Sequence, residues 1–164
     1  TRPEDARKMT ENLSDFLRQS LRHEPHALVP LQQEMEHMQR YLDVESWRFG
    51  HRLKVVWEVP DDCLGYPVPA MVLQPILENA VKFGLYGNEG QVLISIQCEM
   101  AANTIRMRIE NPLPADSVPK SKGTGFGLQA LKRRLQLLYG AGRWLDTQSG
   151  DTTFTVLLTI PRQA

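Results

Sequence analysis

Near residue 50 the hydrophobic rhythm of the chain changes, and this constrains its fold more than any other feature. Before that point apolar residues recur at three- and four-residue steps. Ala6, Met9, Leu13, Phe16, Leu17 and Leu21 form one stripe; Leu31, Met35, Met38, Leu42 and Phe49 form a second. Such spacing predicts two amphipathic helices. The first runs from about Asp5 to Arg22, with Pro25 ending it. Pro30 suits the first turn of the second. After residue 50 the period falls to two. Leu53, Val55, Trp57 and Val59 alternate with Lys54, Val56 and Glu58, the pattern of a strand with one buried face.

The remainder mixes both periods. Pro60-Asp61-Asp62 is turn chemistry. A helix is expected from about Pro69 to Phe83. Pro75 inside it would cost up to ~3 kcal/mol in a regular interior, so either the first turn is irregular or the helix kinks. Gly84 fits a left-handed C-terminal position. Two strands follow, on Val92, Ile94, Ile96 and Cys98, then on Ile105, Met107 and Ile109, with Ala102-Asn103 as the hairpin turn. From Asn111 to Lys122 periodicity stops and three prolines occur, which predicts a flexible lid. A helix then begins near Gly125 to Gly127, buries Leu128, Leu131, Leu135 and Leu138, and stops at Gly140. Lys132, Arg133 and Arg134 are expected on its solvated side. Trp144 to Gln148 and Thr153 to Ile160 complete the strands. Short links favour antiparallel pairing, so the helices share one face. The expected class is α+β, a two-layer sandwich of helices on a mixed, mostly antiparallel sheet.

Composition narrows the function. The 164 residues suit one domain with an appendage. Acidic and basic residues balance to a formal net charge of zero, leaving no broad basic field to favour nucleic acid. Cys63 and Cys98, the two cysteines, lack CxxC spacing and fit a reducing compartment. His23, His26, His37 and His51 have no convincing metal spacing and are expected at the surface. No run of about eighteen apolar residues occurs to span a membrane. A charged start at Thr1 is expected to be that of a fragment, with any membrane-spanning part upstream.

Two polar motifs stand out. In Gln74-Pro75-Ile76-Leu77-Glu78-Asn79-Ala80-Val81-Lys82-Phe83-Gly84, an acid, an amide and an amine share a core helix. Lys82 lies four residues after Glu78 and three after Asn79, so all three can serve one mouth of a polyphosphate and metal site. Gly123-Thr124-Gly125-Phe126-Gly127-Leu128 can offer bare N–H groups to phosphate at a helix start. The dinucleotide fingerprint fails, since its third glycine would fall at Leu128, and the Gly-Lys-Ser/Thr ending of a P-loop is missing.

Together these motifs resemble sensor histidine kinases of the LytS/YehU type. Gln74 to Lys82 looks like their N box. Gly123 to Leu128, followed by Leu131 to Leu135 and Leu138-Tyr139-Gly140, looks like their second glycine box and its helix. Val29 to Glu34, Tyr41 to Glu45 and Arg48-Phe49 match the stretch leading into their ATP-binding domain. The resemblance implies a Bergerat ATP-binding fold over residues 51–164, preceded by a helical dimerisation and linker region over 1–50. It implies that Asn79 offers an oxygen to Mg²⁺, Lys82 neutralises phosphate, and Glu78 orients or deprotonates the attacking group. It implies that Gly123, Thr124, Gly125, Gly127 and Leu128 wrap the phosphates of ATP and that Thr153 lines the adenine pocket. The implied activity is transfer of the γ-phosphoryl of ATP to a histidine upstream of Thr1, then to a response regulator. The implied setting is the cytoplasmic side of a membrane-bound homodimeric sensor.

Three departures stand beside it. Phe83 replaces the histidine that often follows the N-box lysine. Glu110-Asn111-Pro112-Leu113-Pro114 replaces the Asp-x-Gly-x-Gly box, so Asn111 would offer adenine a carbonyl oxygen. The phosphoacceptor segment Asn-Pro-His-Phe-Leu-Phe-Asn is absent. A degenerate pocket serving dimerisation or partner docking is therefore one alternative. Another ATPase or serine kinase of the same superfamily is a second.

Overall fold

The computed structural model describes residues 3–22, 27–85, 88–114 and 126–162. Its elements, in order, are α1 (Pro3–Arg22), β1 (Leu28–Pro30), α2 (Leu31–Phe49), β2 (Leu53–Glu58), α3 (Asp61–Leu64), β3 (Pro67–Pro69), α4 (Gln74–Leu85), β4 (Val92–Ala101), β5 (Thr104–Pro112), α5 (Phe126–Tyr139), β6 (Leu145–Ser149) and β7 (Thr153–Pro161). Five strands form one sheet in the order β2-β4-β5-β7-β6. β2 runs parallel to β4, with Leu53 beside Val92, and every other neighbour is antiparallel. The expected mixed, mostly antiparallel sheet is present.

Alternation decides which face is covered. Val92, Ile94, Ile96 and Cys98 of β4, Ile105, Met107 and Ile109 of β5, and Val156, Leu158 and Ile160 of β7 are buried under the helices. Leu93, Gln97, Glu99, Arg106 and Arg108 point to the open face and are exposed. The β4–β5 hairpin turns through Ala102 at φ 51, the positive φ that the first position of a type II′ turn requires.

Two three-residue strands lie outside the expectation. β1 pairs antiparallel with β3, Leu28 opposite Pro69 and Pro30 opposite Pro67. Three prolines in six residues read as breakers, yet a pair with no further neighbour needs few N–H donors. Leu31 N donates to Tyr66 O at 2.9 Å and Ala70 N to Ala27 O at 2.9 Å, extending the ribbon at both ends. Pro30 therefore stands just before α2 rather than within its first turn.

This ribbon consumes residues 67–69, so α4 starts at Gln74 and not near Pro69. Pro75 then falls at the second helical position, where its missing N–H has no intrahelical acceptor to lose. Neither kink nor interior penalty arises. Gly84 also departs from expectation. It lies inside α4, and the positive-φ glycines among the described residues are Gly50 and Gly140. A Cβ at Gly84 would meet Val92 Cγ1 at 2.9 Å, so glycine is there because the helix presses on β4. Gly140, at φ 79, ends α5 as expected.

The helices divide by depth. α4 packs on β4, β5 and α5, and α2 packs on β1, β2 and α3. Leu31, Met38 and Leu42 of α2 join the main core. α1 packs along α2, but its Leu13 and Leu17 remain exposed. Two polar residues overturn their surface assignment. His37 is buried, with Nε2 3.3 Å from Gln74 Oε1. Arg134 is half-buried and donates from Nη1 to Ala70 O at 2.8 Å. Both sit beside an apolar stripe, where a long or amphipathic side chain can be drawn inward if a partner waits.

Candidate functional site

α4 is the backbone of the site, and its two flanks carry different chemistry. Each residue turns the helix by about 100°, so Glu78 and Asn79 diverge although they are adjacent in sequence. Glu78 and Lys82 face α2 across a cleft of about 250 Å³, with Tyr41, Glu45 and Arg48 opposite. Glu78 Oε1 accepts from Gln74 Nε2 at 2.9 Å, and Lys82 Nζ lies 5.4 Å from the Phe83 ring centre. Burial, then the charges of Glu45 and Glu78, pushes the Tyr41 phenol well above its ordinary range. Asn79 is half-buried and does not line that cleft. It shares its flank with Phe83, four residues on. Among the described residues its carboxamide makes no side-chain hydrogen bond. The structure thus joins Glu78 with Lys82 and sets Asn79 apart.

Beyond the C-terminal end of α4 lies the segment that replaces the aspartate–glycine box. Alternation along β5 sends its members to opposite faces. Glu110 points to the open side, where Arg108 Nη2 binds Oε2 at 2.6 Å and Thr155 Oγ1 donates at 3.1 Å. The bond from Arg108 is the main cause holding the Glu110 carboxyl below its ordinary range. Asn111 points to the helix side and is 2 % exposed. Its Cβ lies 3.8 Å from where a Gly84 Cβ would stand. Asn111 Nδ2 donates to Pro112 O at 3.0 Å, an orientation that gives Oδ1 the acceptor role. Thr153 pairs opposite Pro112, and its carbonyl accepts Gly150 N at 2.8 Å.

At the other end, the start of α5 lies over the first turn of α4. A Cβ at Gly127 would be 3.4 Å from Pro75 Cβ, and Leu128 is buried. Gly123, Thr124 and Gly125 lie outside the described residues, as does the expected lid from residue 115 onward. Among the described residues no group of three or more His, Cys, Asp or Glu could hold a metal ion. An ion carried in by phosphates needs only one or two protein oxygens.

One element of the site went unread in the sequence. Glu34 of α2 is 2 % exposed. Its Oε1 accepts Met71 N at 2.6 Å and its Oε2 accepts Leu73 N at 3.3 Å, just before α4 begins. The signal was available: Glu34 falls between Leu31 and Met38 at helical spacing, an acid inside an apolar stripe.

Comparison with known proteins fits this arrangement. Residues 64–163 match the family described as histidine kinase-, DNA gyrase B-, and HSP90-like ATPase, and residues 1–53 match a histidine kinase family. The sensor histidine kinase BtsS of Escherichia coli strain K12 is 33% identical over 96% of this chain and 28% of its own length. The sensor protein LytS of Staphylococcus epidermidis is 27% identical over 96% of this chain and 29% of its own. The chain therefore spans less than a third of the length of these relatives. Among solved structures, the histidine kinase domain of the Erythrobacter litoralis EL346 blue-light activated histidine kinase superposes with TM-score 0.57 at 17% identity, covering 96% of this chain and 74% of that one. The nucleotide-free catalytic domain of histidine kinase ThkA superposes with TM-score 0.60 at 16% identity, covering 82% and 97%. Motif order, sheet topology and the match over residues 64–163 agree, and the chain belongs to the histidine kinase, DNA gyrase B and HSP90-like ATPase family.

Proposed function

We propose that this chain is the ATP-binding catalytic part of a two-component sensor histidine kinase. Its reaction would move the γ-phosphoryl of ATP to a histidine supplied from outside this sequence, and onward to an aspartate of a response regulator. One observation carries the reading. Along α4, Asn79 falls midway between Pro75, which the start of α5 meets at Gly127, and Gly84, beneath which the proposed adenine acceptor Asn111 is buried. An elongated ligand with an amine at one end and phosphates at the other matches that spacing of chemistry.

In this reading Asn111 accepts from the adenine amine and Thr153 lines the same end. Gly123, Thr124, Gly125, Gly127 and Leu128 wrap the phosphates. Lys82, exposed and three residues beyond Asn79 at helical spacing, neutralises phosphate oxygens from the edge of the α2-facing flank. Glu78, exposed one turn away, orients or deprotonates the attacking imidazole. Asn79 fits a magnesium ligand, since a half-exposed carboxamide can offer its oxygen. Bound Mg²⁺ neutralises charge building on the phosphates.

The whole-protein setting follows from the same reading. Residues 1–50 serve as the helical dimerisation and linker region, α1 meeting a second copy through Leu13 and Leu17. Residues 51–164 form the ATP-binding domain, to which α2 is sealed by Leu31, Met38 and Leu42. The catalytic side lies in the cytoplasm, tethered to the membrane by segments outside this sequence. One related histidine kinase, ThkA, has been solved with the response regulator protein TrrA, at TM-score 0.58 and 14% identity to this chain. A regulator of that kind is the partner proposed here.

Calorimetric titration with Mg-ATP tests the site. The parent should bind, and Asn79→Ala should bind at least roughly tenfold more weakly with unchanged folding. No heat at millimolar nucleotide would sink the reading and favour a second one, a degenerate module acting in dimerisation or docking. Pro112 where the family has glycine, and Phe83 where it often has histidine, are the observations behind that second reading.

A further inference from the structure

The turn that launches α4 is held from two sides by charged side chains, one buried and one half-buried. Residues 70–73 connect the β1–β3 ribbon to α4, and Met71 within them has φ 61, a left-handed value that a methionine rarely adopts. Glu34 binds the N–H of Met71 and of Leu73 with its two oxygens, at 2.6 and 3.3 Å. Arg134 of α5 binds the carbonyl of Ala70 at 2.8 Å. The same short turn is thus tied to α2 through its N–H groups and to α5 through its carbonyl. Glu34 also sets a negative charge at the positive end of the α4 dipole. Burial holds the Arg134 guanidinium below its ordinary range, and the charge of Glu34 offsets part of that by favouring the cation.

We infer that Glu34 and Arg134 are positioning residues for phosphate binding, which clamp the 70–73 turn and so set where α4 stands against α5. The inference rests on the nucleotide reading of the site. Asn79 lies six residues beyond Leu73, about 9 Å along the helix. Pro75, two residues beyond Leu73, is the point where the start of α5 meets α4. Letting the turn relax shifts both and changes how Asn79 stands relative to the start of α5 at Gly127. The adenine end is held independently by Gly84 against Val92 and Asn111, so it should not follow.

Glu34→Gln is the direct test, because it keeps size and one acceptor oxygen but removes the second acceptor and the charge. Calorimetry with Mg-ATP and with adenosine, alongside amide hydrogen exchange, reads the effect. Glu34→Gln should bind Mg-ATP roughly tenfold more weakly and adenosine as the parent does. Amides of residues 71–77 should exchange faster than in the parent, with the rest of the sheet unchanged. Arg134→Met should repeat this pattern and Arg134→Lys should restore most of the affinity; this pair carries the test if Glu34→Gln does not fold. Unchanged Mg-ATP affinity in a folded Glu34→Gln, or equal loss of both ligands, overturns the inference. A parent that binds no Mg-ATP overturns the nucleotide reading instead, and unaltered exchange over 71–77 would then overturn the clamp as well.

Discussion

The two ends of α4 are fixed in opposite ways. At its start the chain uses polar bonds: a buried carboxylate and a guanidinium grip backbone groups of the 70–73 turn. At its end it uses the absence of a side chain, Gly84 letting the helix press on Val92 and Asn111. A hydrogen-bonded end can be adjusted by any change that moves α2 or α5. A close-packed end tolerates almost no displacement, because interiors are dense and an added methylene has nowhere to go. The phosphate side of the proposed site is thus the adjustable one, and the adenine side the fixed one.

The sharpest way to break this contrast is Gly84→Val. Its Cβ would stand 2.9 Å from Val92 Cγ1 and 3.8 Å from Asn111 Cβ before any further methyl is placed. Overpacking of this kind costs about 1–3 kcal/mol, and two additional methyls put this case near the upper end. Denaturant unfolding should lose about 3 kcal/mol. A loss below about 0.5 kcal/mol would mean that the helix is not seated on β4 at Gly84.

Asn111→Ala addresses the same end with less disruption. The change removes a 2 % exposed carboxamide and its bond to Pro112 O, and should weaken Mg-ATP binding by roughly tenfold, about 1.4 kcal/mol. Adenosine binding should weaken by the same factor, unlike the result expected for Glu34→Gln. Equal adenosine affinity in parent and variant would remove Asn111 from the adenine pocket.

What the sequence made legible follows from the range of the interactions involved. The periods of two and of three to four placed β2, β4, β5, β7, α1, α2, α5 and the body of α4, since they reflect only each residue's neighbours and one buried face, while the short α3 stands where turn chemistry was expected. The Ala102-Asn103 hairpin and the stop at Gly140 are likewise local. The β1–β3 ribbon is not, because it joins segments some forty residues apart through prolines that locally signal a break. Glu34, His37 and Arg134 escaped for a related reason. Their partners, the 70–73 turn and Gln74, lie far along the chain, and a charged residue without a visible partner is sensibly placed in water. Within the candidate site, residue types and spacing on α4 singled out Glu78, Asn79 and Lys82 as candidates. Their split between two flanks required knowing that α2 stands on one side and α5 on the other.

The smallest expected effect lies at the adjustable end, in Pro75→Ala. Proline in the interior of a helix would cost about 3 kcal/mol, so an alanine there would return most of that amount. At the second position of α4 no intrahelical bond is lost, and the gain disappears. The unfolded chain gains freedom when proline is removed, which works against the variant by about 0.4–1 kcal/mol. Alanine is the better helix former but contacts the start of α5 with less surface, where a Gly127 Cβ would stand 3.4 Å from Pro75 Cβ. The net expectation is a loss of about 0.5 kcal/mol in denaturant unfolding. A gain of 2 kcal/mol or more would return Pro75 to a helix interior, move the start of α4 back toward Pro69, and remove the turn on which Glu34 and Arg134 converge.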